Sequence, residues 1–272
     1  MAKWVFLNDS FVAEEKAMLH FRDLSFQRGY GVFDFFRLAG SKPLFLDDHL
    51  DRFNRSAEGL HLPLPTPKKE LNDIVLDLVQ KNDLPGTGIR LSLSGGYSED
   101  GFNIGQPNFL VSQHSFTPPP ASQLDKGIRL LTYSYQRQLP HIKSIDYLMA
   151  IWLQPQRAVQ GADDILYHHN GFISECPRSN FFLVTADDRV VTPSENILSG
   201  VTRKKVLDLA KEYFQVEERP VGLAEIQTAK EAFITSTTKQ ILPVAQIDDK
   251  IFARNPVTRK LMGLFHSTYN QA

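Results

Sequence analysis

The hydrophobic positions of this 272-residue chain form short runs with two different spacings. Runs that are apolar throughout, or that alternate with polar residues, predict strands, whereas a spacing of three to four residues predicts a helix. In the first part of the chain the predicted strands are 4–7, 31–37, 89–94 and 109–112. A predicted helix begins at Asp47 or Asp48, and another follows Thr66-Pro67, with Thr66 as its N-cap. The second helix is predicted to carry an apolar stripe on one face, formed by Leu71, Ile74, Val75 and Leu78.

The rest of the chain continues this mixture. Predicted strands are 128–135, 164–168, 172–175, 181–184, 190–192, 232–236 and 244–247, and predicted helices run from Ser144 to Pro155 and over 202–214. Asn170-Gly171 lies between two of these strands and indicates a two-residue hairpin turn. Because strands and helices alternate irregularly, the pattern predicts an α+β or mixed α/β fold rather than a purely parallel sheet.

Three consecutive prolines, Pro118-Pro119-Pro120, separate the two parts of the chain. Consecutive prolines favour extended polyproline II backbone and prevent both a helix and a central strand. We therefore predict a smaller N-terminal α/β domain over 1–114, a linker over 115–124 and a larger C-terminal domain over 125–272.

Hydrophobic residues make up 42% of the chain and charged residues 22%, as is typical of a soluble globular protein. The net charge of -1 provides no basic field for nucleic acid or an anionic membrane, so neither is expected as a partner. The single cysteine, Cys176, has no partner for an intrachain disulfide, and the N-terminus shows no apolar signal segment. We therefore expect a cytoplasmic location.

Several common catalytic motifs are absent from the sequence. It contains no G-x-G-x-x-G, no Walker A loop, no G-x-S-x-G, and neither C-x-x-C nor H-E-x-x-H. His168 and His169 are adjacent, so on a strand they point to opposite faces and cannot share a metal ion. These absences argue against a dehydrogenase, an NTPase, an α/β-hydrolase and a zinc enzyme, and no metal site is predicted.

Two side chains, Lys143 and Glu175, suit a different chemistry. Pyridoxal 5′-phosphate (PLP) requires an amine that bonds to its aldehyde and a carboxylate that pairs with its ring nitrogen. Lys143 follows one predicted strand and Glu175 ends another. Taken singly, a solvated surface lysine and an exposed carboxylate at a strand end explain the two residues as well.

The residues around this pair resemble a known family. The resemblance is carried by Lys143-Ser144-Ile145-Asp146-Tyr147-Leu148, by Glu175 to Phe182 with Asn180, and by Gly200-Val201-Thr202-Arg203. These segments are similar to motifs of the class IV aminotransferases, the PLP enzymes of fold type IV, and the resemblance extends from about Phe6 to the C-terminus. It implies a two-domain, D-amino-acid-aminotransferase-like fold with PLP at the domain interface.

The same resemblance implies residues for each end of the cofactor. Lys143 would bond covalently to PLP, and Glu175 would hold the proton of its pyridinium nitrogen. The phosphate ligands would be Arg52, Val201, Thr202, Ser236 and Thr237. Helical geometry favours Arg52 over Arg55, because Arg52 lies nearer the buried stripe of its predicted helix. The chain departs from the family at Cys176-Pro177-Arg178, where small residues are usual.

For the substrate carboxylate, the candidates are Arg28 and Arg90. Loop 95–101 lacks the arginine and histidine of the usual D-amino-acid transaminases, and Phe35 replaces a glycine of the branched-chain enzymes. Arg28 and Arg90 resemble a less common group of D-amino-acid transaminases, in which two arginines bind the α-carboxylate. Arg28 would then come from the neighbouring subunit of a homodimer with shared active sites.

Two of these assignments have alternatives. A charge within an apolar strand is costly unless it is paired or functional, so Arg90 is either a ligand or one partner of a structural ion pair. Arg37 is either a third candidate ligand or a buried partner of Asp34.

The function implied by the resemblance is that of a PLP-dependent transaminase, which exchanges an amino group between an amino acid and a 2-oxo acid. A D-amino acid is favoured, since the spacing from Lys143 to Tyr147-Leu148 is more similar to the D-amino-acid transaminases and lyases. The alternatives are a branched-chain L-amino-acid aminotransferase, an aminodeoxychorismate lyase, and a PLP-binding protein without turnover.

Overall fold

The computed structural model describes residues 3–269, which divide into two compact units. Unit 1 comprises the residues up to 117 together with 142–146, and unit 2 comprises 118–141 and the residues from 147 onward. Residues 1–2 and 270–272, which the predicted domains include, lie outside the described residues. Each unit combines a sheet with helices, so the predicted α+β (mixed α/β) fold is confirmed.

Unit 1 contains an antiparallel sheet with the strand order β2-β1-β6-β5-β3-β4. Its elements are β1 (Trp4–Leu7), β2 (Ser10–Ala13), a 3-10 turn (Glu14–Lys16), α1 (Leu24–Arg28), β3 (Gly31–Ala39), β4 (Lys42–Pro43), α2 (Leu46–Gly59), α3 (Lys68–Asn82), β5 (Gly88–Ser94) and β6 (Phe109–His114). The strands predicted for this part of the chain are confirmed.

One face of this sheet packs against α2 and α3. Alternate residues of β3 enter the core, which also contains the predicted stripe of α3: Val32, Phe36, Leu38, Leu71, Ile74, Val75 and Leu78. Burying a side chain of this size contributes about 1.5–3 kcal/mol, so the core determines which face of β3 points inward. The other face presents Phe33, Phe35 and Arg37.

The predicted start of α3 is wrong by one residue. The N-cap position is occupied by Pro67, and the helix begins at Lys68. The hydroxyl of Thr66 donates to the carboxylate of Glu70, so it does not cap the backbone.

Residues 142–146 join unit 1, which corrects the prediction that they belong to the C-terminal domain. The N–H of Phe33 donates to the carbonyl of Lys143, and the N–H of Ile145 donates to the carbonyl of Gly31, both at 3.0 Å. Ser144 forms an isolated antiparallel bridge with Val32. The backbone hydrogen bonds available along β3 thus hold this segment as a short extended neighbour of that strand.

Unit 2 contains a larger mixed sheet with the order β13-β12-β11-β15-β16-β7-β8-β9-β14, with β10 added at β11 and β17 at β16. Its elements are α4 (Ala121–Lys126), β7 (Ile128–Ser134), α5 (Leu148–Trp152), α6 (Gln154–Val159), β8 (Asp164–His169), β9 (Phe172–Ile173), β10 (Glu175–Cys176), β11 (Ser179–Val184), β12 (Val190–Thr192), α7 (Val201–Lys211), β13 (Val216–Glu218), β14 (Val221–Gly222), α8 (Glu225–Thr228), β15 (Glu231–Ser236), β16 (Gln240–Ile247), β17 (Lys250–Ile251) and α9 (Pro256–Tyr269).

The hairpin predicted at Asn170-Gly171 is confirmed. Both residues have positive φ, 49° and 80°, as a type I′ turn requires. The flanking residues His169 and Phe172 pair directly across the turn.

The helix predicted from Ser144 is wrong. It begins only at Leu148, because 142–146 pairs with β3, and it breaks before α6, where Pro155 lies in the first turn. In this short helix Leu148 and Trp152 are 76% and 62% exposed. No helix between Lys3 and Tyr269 has both the length and the apolar character needed to span a membrane.

Candidate active site

Lys143 is held by its backbone from two neighbouring elements of unit 1. Its carbonyl accepts from the N–H of Phe33 on β3, and its own N–H donates to Oγ of Ser56 on α2 at 3.1 Å. Ile142, which precedes it, is 1% exposed. The backbone position is therefore well determined, whereas the side chain of Lys143 is half-buried.

Arg90 contacts the same aromatic ring as Lys143. Its Cζ lies 4.1 Å from the ring centroid of Phe33, and Nζ of Lys143 lies 4.6 Å from that centroid. The distance between Cζ of Arg90 and Nζ of Lys143 is therefore no greater than the sum of these two distances. Nε of Arg90 also donates to Oγ of Ser92 at 3.1 Å, which orients the guanidinium on this face of the sheet.

A cavity of about 600 Å³ in unit 1 opens beside Arg90. Its lining is mainly apolar and includes Leu93, Leu110 and Ile145, with Ser92 and Asn108 among its polar groups. Ile145 is two residues from Lys143, so the cavity adjoins the lysine segment. An apolar cavity of this size with a few polar groups is typical of a site for a small molecule.

Arg28 ends α1 and is exposed. It makes no ion pair with any residue among 3–269, and its Nη1 donates to the carbonyl of Gln27. The helix itself is fixed by Asp23, whose carboxylate accepts from the N–H of Ser25 and, at 2.7 Å each, from the side chains of Ser94 and Asn108. A rigid helix thus carries an accessible guanidinium.

Arg52 lies on α2 and pairs with Asp34 on β3. Its Nε donates to Oδ2 at 2.8 Å and its Nη2 to Oδ1 at 2.7 Å, so the contact is bidentate. Arg52 is 5% exposed and Arg55 is exposed, as the helical geometry predicted. The third nitrogen, Nη1, donates to no described residue.

Arg37 is not the partner of Asp34, so that alternative is wrong. Asp34 is already satisfied by Arg52, by His49 and by the N–H of Phe35. Arg37 instead lies over the ring of Phe116 at 5.0 Å, and its buried Nε has no hydrogen-bond partner among the described residues. Burial lowers the pKa of Arg37.

Glu175 is almost completely buried in unit 2 and accepts three hydrogen bonds. Nη1 of Arg137 donates to Oε1 at 2.8 Å, while Nδ2 of Asn180 and the N–H of Leu198 donate to Oε2 at 3.2 and 3.0 Å. Burial by itself lowers the pKa of Arg137, but the charge of Glu175 outweighs it and raises that pKa. Arg137 and Glu175 thus form a buried ion pair, and these donors hold the carboxylate in one orientation.

Asn180 links Glu175 to the start of α7. Besides its bond to Glu175, Nδ2 of Asn180 donates to the carbonyl of Leu198 at 2.8 Å. Its Oδ1 approaches Gly200 so closely that a Cβ at that position would lie 2.0 Å away. A side chain at position 200 would therefore displace Asn180 from its present position, and Gly200 is the N-cap residue of α7.

The N-terminus of α7 offers free backbone donors. The N–H groups of Val201 and Thr202 lie in the first turn, where a helix provides no acceptor. No side chain caps this end of the helix either. The helix dipole adds partial positive charge at this end, which favours an anion such as phosphate. Both residues are buried, so an anion bound there would be partly desolvated.

Ser236 is the last residue of β15, and Thr237 lies in the turn that follows. Oγ of Ser236 accepts from the N–H of Lys239 at 3.2 Å, which leaves its O–H able to donate. Thr235, directly before it, pairs with Asn180 across the sheet and has a buried Oγ1 with no partner among the described residues. An orphaned hydroxyl at this position indicates that a further group completes the site.

Cys176 is fully buried, and burial raises the pKa of its thiol well above the ordinary value. A thiol of this kind is a poor nucleophile, so Cys176 is a passive packing residue. Lys239, another lysine with a mostly buried side chain, is paired with Asp164 at 2.7 Å. Residues 3–269 contain no cluster of His, Cys, Asp and Glu that could hold a metal ion.

Sequence reasoning missed Arg137 and His49. Arg137 is one of 30 lysines and arginines, and no spacing rule connects it with Glu175. His49 had a usable signal, because it precedes Arg52 by three residues and i,i+3 neighbours share one face of a helix.

Comparison with known proteins gives consistent matches along the chain. The sequence profile of a family described as amino-transferase class IV matches residues 31–247. The chain is 32% identical to a Methanocaldococcus jannaschii protein named "Putative branched-chain-amino-acid aminotransferase", covering 96% of this chain and 94% of that one. It is 28% identical to D-alanine aminotransferase of Listeria monocytogenes, with the same two coverages. The branched-chain amino acid aminotransferase of Escherichia coli has the same fold, with a TM-score of 0.92 at 24% identity, covering 99% of this chain and 95% of that one.

Proposed function

This chain belongs to the class IV aminotransferases, and from that premise we propose that it is a PLP-dependent transaminase acting on D-amino acids. It would exchange the amino group between a D-amino acid and a 2-oxo acid. The relatives include both D-alanine and branched-chain aminotransferases, so the family by itself does not select the substrate. The selection has to come from the residues of this chain.

The observation that carries the proposal is the shared contact of Lys143 and Arg90 with Phe33. In a substrate whose amino group reacts beside Lys143, the α-carboxylate carbon is only two bonds from the amino nitrogen. A guanidinium close to Lys143 is therefore in reach of that carboxylate and can bind it through two parallel hydrogen bonds. This contact supports Arg90 as a ligand of the substrate carboxylate.

The donors described above have the chemistry that PLP would require at both of its ends. Lys143 would hold its aldehyde carbon, and Glu175, oriented by Arg137 and Asn180, would hold its ring nitrogen. Five residues would hold its phosphate: Arg52, Val201, Thr202, Ser236 and Thr237. The unused Nη1 of Arg52, the free N–H groups of α7 and the orphaned hydroxyl of Thr235 are the observations that support this fit.

PLP supplies an electron sink that accepts the charge left on the substrate Cα when that carbon loses its proton. Lys143 would take the proton from Cα as a general base and return it in the reverse half-reaction. Glu175 would keep the ring nitrogen protonated. Arg90, with Arg28, would hold the α-carboxylate, so that only one face of Cα meets the amine of Lys143.

A branched-chain L-amino-acid aminotransferase is the second candidate, and the identity of 32% to the M. jannaschii protein favours it. The position of Phe35 argues against the branched-chain candidate in this chain. The ring of Phe35 lies over Gly88, where a Cβ would be 2.2 Å from Cζ of Phe35, so it occupies space on the same face as Arg90. An aminodeoxychorismate lyase remains the third candidate.

We also propose a homodimer in which Arg28 serves the partner's site. The region around α1 exposes several large apolar side chains: Met18 (75%), Phe21 (63%), Phe26 (80%) and Phe102 (81%). Exposed apolar side chains clustered in this way are typical of a protein interface. Arg28 lies among them, so a subunit that covers this surface would receive its guanidinium.

A cytoplasmic location also stays a prediction. It depends on the single, buried thiol of Cys176, which suits a reducing compartment. Cell fractionation with an antibody to the protein tests it, and recovery in a secreted fraction would contradict it.

A stereospecific donor screen tests the substrate. We expect D-alanine with 2-oxoglutarate, or D-glutamate with pyruvate, to give the oxo acid of the donor, and L-leucine with 2-oxoglutarate to react at least tenfold more slowly, because one carboxylate anchor admits one hydrogen of Cα to Lys143 (about 1.4 kcal/mol per factor of ten). Turnover of L-leucine alone would reject the D-amino-acid proposal. If no amino donor bleaches the visible band of bound PLP, the protein binds the cofactor without turnover.

Replacing both Arg28 and Arg90 by alanine should raise KM for the amino donor without releasing PLP. Each hydrogen bond to a charged group contributes about 1.5–3 kcal/mol, so we expect a rise of roughly ten- to hundredfold for each arginine. Steady-state kinetics and the PLP absorbance measure the two quantities. Arg22→Ala, an exposed arginine next to α1, is the matched control. An unchanged KM for the amino donor would mean that both arginines have structural roles only.

Coexpression of an Arg28→Ala chain with a Lys143→Ala chain tests whether Arg28 acts across the dimer. If it does, the mixed dimer contains one site in which both residues are intact, and activity rises well above that of either variant alone. If Arg28 serves its own subunit, every intact Lys143 remains with a substituted Arg28, and no such rise occurs.

A further inference from the structure

The proposed phosphate ligand Arg52 belongs to a buried cluster of charged and polar side chains in unit 1. The cluster consists of Asp34 on β3 with His49 and Arg52 on α2, which are 0%, 1% and 5% exposed. Asp34 accepts from Nδ1 of His49 at 2.7 Å, from two nitrogens of Arg52, and from the N–H of Phe35 at 2.7 Å. Among the described residues, Oδ1 of Asp34 thus accepts three hydrogen bonds and Oδ2 accepts one.

The bidentate contact determines how the guanidinium of Arg52 lies. Two parallel hydrogen bonds to one carboxylate fix both the plane and the rotation of the group, which a single bond would not. Nε and Nη2 are used, and Nη1 is left without a partner in the described chain. One edge of the guanidinium is thus anchored, and the other is presented for a ligand.

His49 fixes the carboxylate in turn. The pKa of Asp34 is held well below its usual range because Arg52 and His49 outweigh the effect of burial, so the carboxylate is ionised and can only accept. His49 must therefore donate from Nδ1. Burial lowers the pKa of His49. Asp34 raises that pKa, whereas the positive charges of Arg52 and Lys143 lower it, and the net lowering leaves the imidazole neutral. Its ring also packs against that of Phe36.

The Asp34–Arg52 ion pair reduces two free-energy costs of using a buried arginine to bind an anion. A buried guanidinium without a counter-ion costs several kcal/mol, and a flexible one loses conformational freedom each time it binds an anion. Pairing Arg52 with Asp34 removes the first cost, and fixing its orientation removes the second. One fully directed N–H group remains for the ligand.

We propose that Asp34 and His49 are positioning residues, which present Nη1 of Arg52 to the phosphate of the cofactor. The inference rests on the proposed function, since Arg52 faces a phosphate only in a PLP enzyme. Neither residue touches the cofactor; each acts through Arg52. The role is therefore specific to the phosphate end and should not affect the aldehyde or ring nitrogen.

The test compares PLP with pyridoxal, which lacks the phosphate. The full-length apoenzyme is titrated with each aldehyde, and the visible band reports binding. Asp34→Asn keeps the shape but places an N–H group against Arg52. We expect its Kd for PLP to rise about ten- to hundredfold, the scale seen when outer partners of metal ligands are lost, while its Kd for pyridoxal stays nearly unchanged. His49→Gln should give a smaller rise with the same selectivity.

Asp51→Asn and Arg55→Ala on the same helix are the matched controls, and neither should change the ratio of the two Kd values. A loss of affinity for PLP and pyridoxal alike, in Asp34→Asn and in His49→Gln, would show a structural role and overturn the inference. A drop in apoenzyme melting temperature would reveal that Asp34→Asn does not fold. In that case the ratio of the two Kd values in His49→Gln tests the inference, because that variant retains the Asp34–Arg52 ion pair.

Arg52→Ala separates this inference from the proposed function. If Arg52→Ala leaves the PLP-to-pyridoxal ratio unchanged, Arg52 is not a phosphate ligand, and the assignment of the cofactor site fails. If Arg52→Ala changes the ratio and Asp34→Asn and His49→Gln do not, only the positioning role fails. In the double variant Asp34→Asn/Arg52→Ala, the phosphate-specific loss should equal that of Arg52→Ala alone; a further loss would mean that Asp34 acts by another route.

Discussion

Replacement of Lys143 by alanine is expected to abolish transamination, with kcat lowered by about 10⁴-fold or more. Lys143 has two roles in the proposed mechanism, as the covalent attachment of PLP and as the group that moves the proton at Cα. General acid–base catalysis alone contributes about 10²- to 10⁴-fold, and the loss of the covalent attachment adds to it. Because the side chain is half-buried and the backbone carries the contacts to Phe33 and Ser56, the fold should survive the change.

Borohydride reduction followed by peptide mapping checks the assignment. In the unchanged protein, the reduced cofactor should be found on the peptide that contains Lys143. The competing lysine is Lys239, whose amine is paired with Asp164 and lies 3.4 Å from Oγ of Ser179. Label on Lys239, or a visible band that persists in Lys143→Ala, would show that Lys143 is wrongly assigned. Lys69→Ala, at an exposed position, serves as the control.

Glu175→Gln should lower kcat by about 10²- to 10³-fold, the range observed when one preorganised electrostatic partner of a reacting group is removed. Glutamine keeps the size of the side chain and can still accept a hydrogen bond, but it no longer favours a protonated ring nitrogen. The electron sink would then be weaker at the moment when Cα loses its proton. Single-turnover kinetics of the first half-reaction, followed by the decay of the PLP band, measures this step directly.

Arg137 complicates this experiment, because the Glu175→Gln change removes the carboxylate charge with which its buried guanidinium forms an ion pair. Breaking a buried pair in this way costs about 3–5 kcal/mol of stability. The double variant Glu175→Gln/Arg137→Met removes both charges, so we expect thermal stability to recover while kcat remains low. Recovery of kcat together with stability would contradict the catalytic role and leave Glu175 as a structural residue.

The sequence predicted the elements of the fold well where the pattern was local. The strands of unit 1, the stripe of α3 and the turn at Asn170-Gly171 all follow from side-chain spacing or from backbone preference, which neighbouring residues decide. The segment after Lys143 was the exception. Its helical spacing was real, but the hydrogen bonds to β3 compete for the same backbone and win over 142–146.

The candidate site divides in the same way. Lys143, Glu175 and Gly200-Val201-Thr202-Arg203 were recognisable because each chemical group stands within its own short motif. Arg137 was not, because its importance comes from a contact with Glu175 that is 38 residues away. Asp34 and Arg37 share a strand, yet a strand turns neighbouring side chains to opposite faces in alternation, and Asp34 paired with Arg52 across the core instead.

By itself, the sequence determined that the chain carries a lysine and a glutamate suited to PLP and a turn suited to phosphate. These properties depend on the chemistry of side chains and on short-range backbone geometry, both of which are local. Only the tertiary structure decided how those groups are oriented. It joined Lys143 to β3, set Arg90 against the same ring as Lys143, and backed Glu175 with Arg137 and Arg52 with Asp34. Orientation depends on which strands pair and on which charges must be compensated when they are buried, and both are settled only when distant parts of the chain meet.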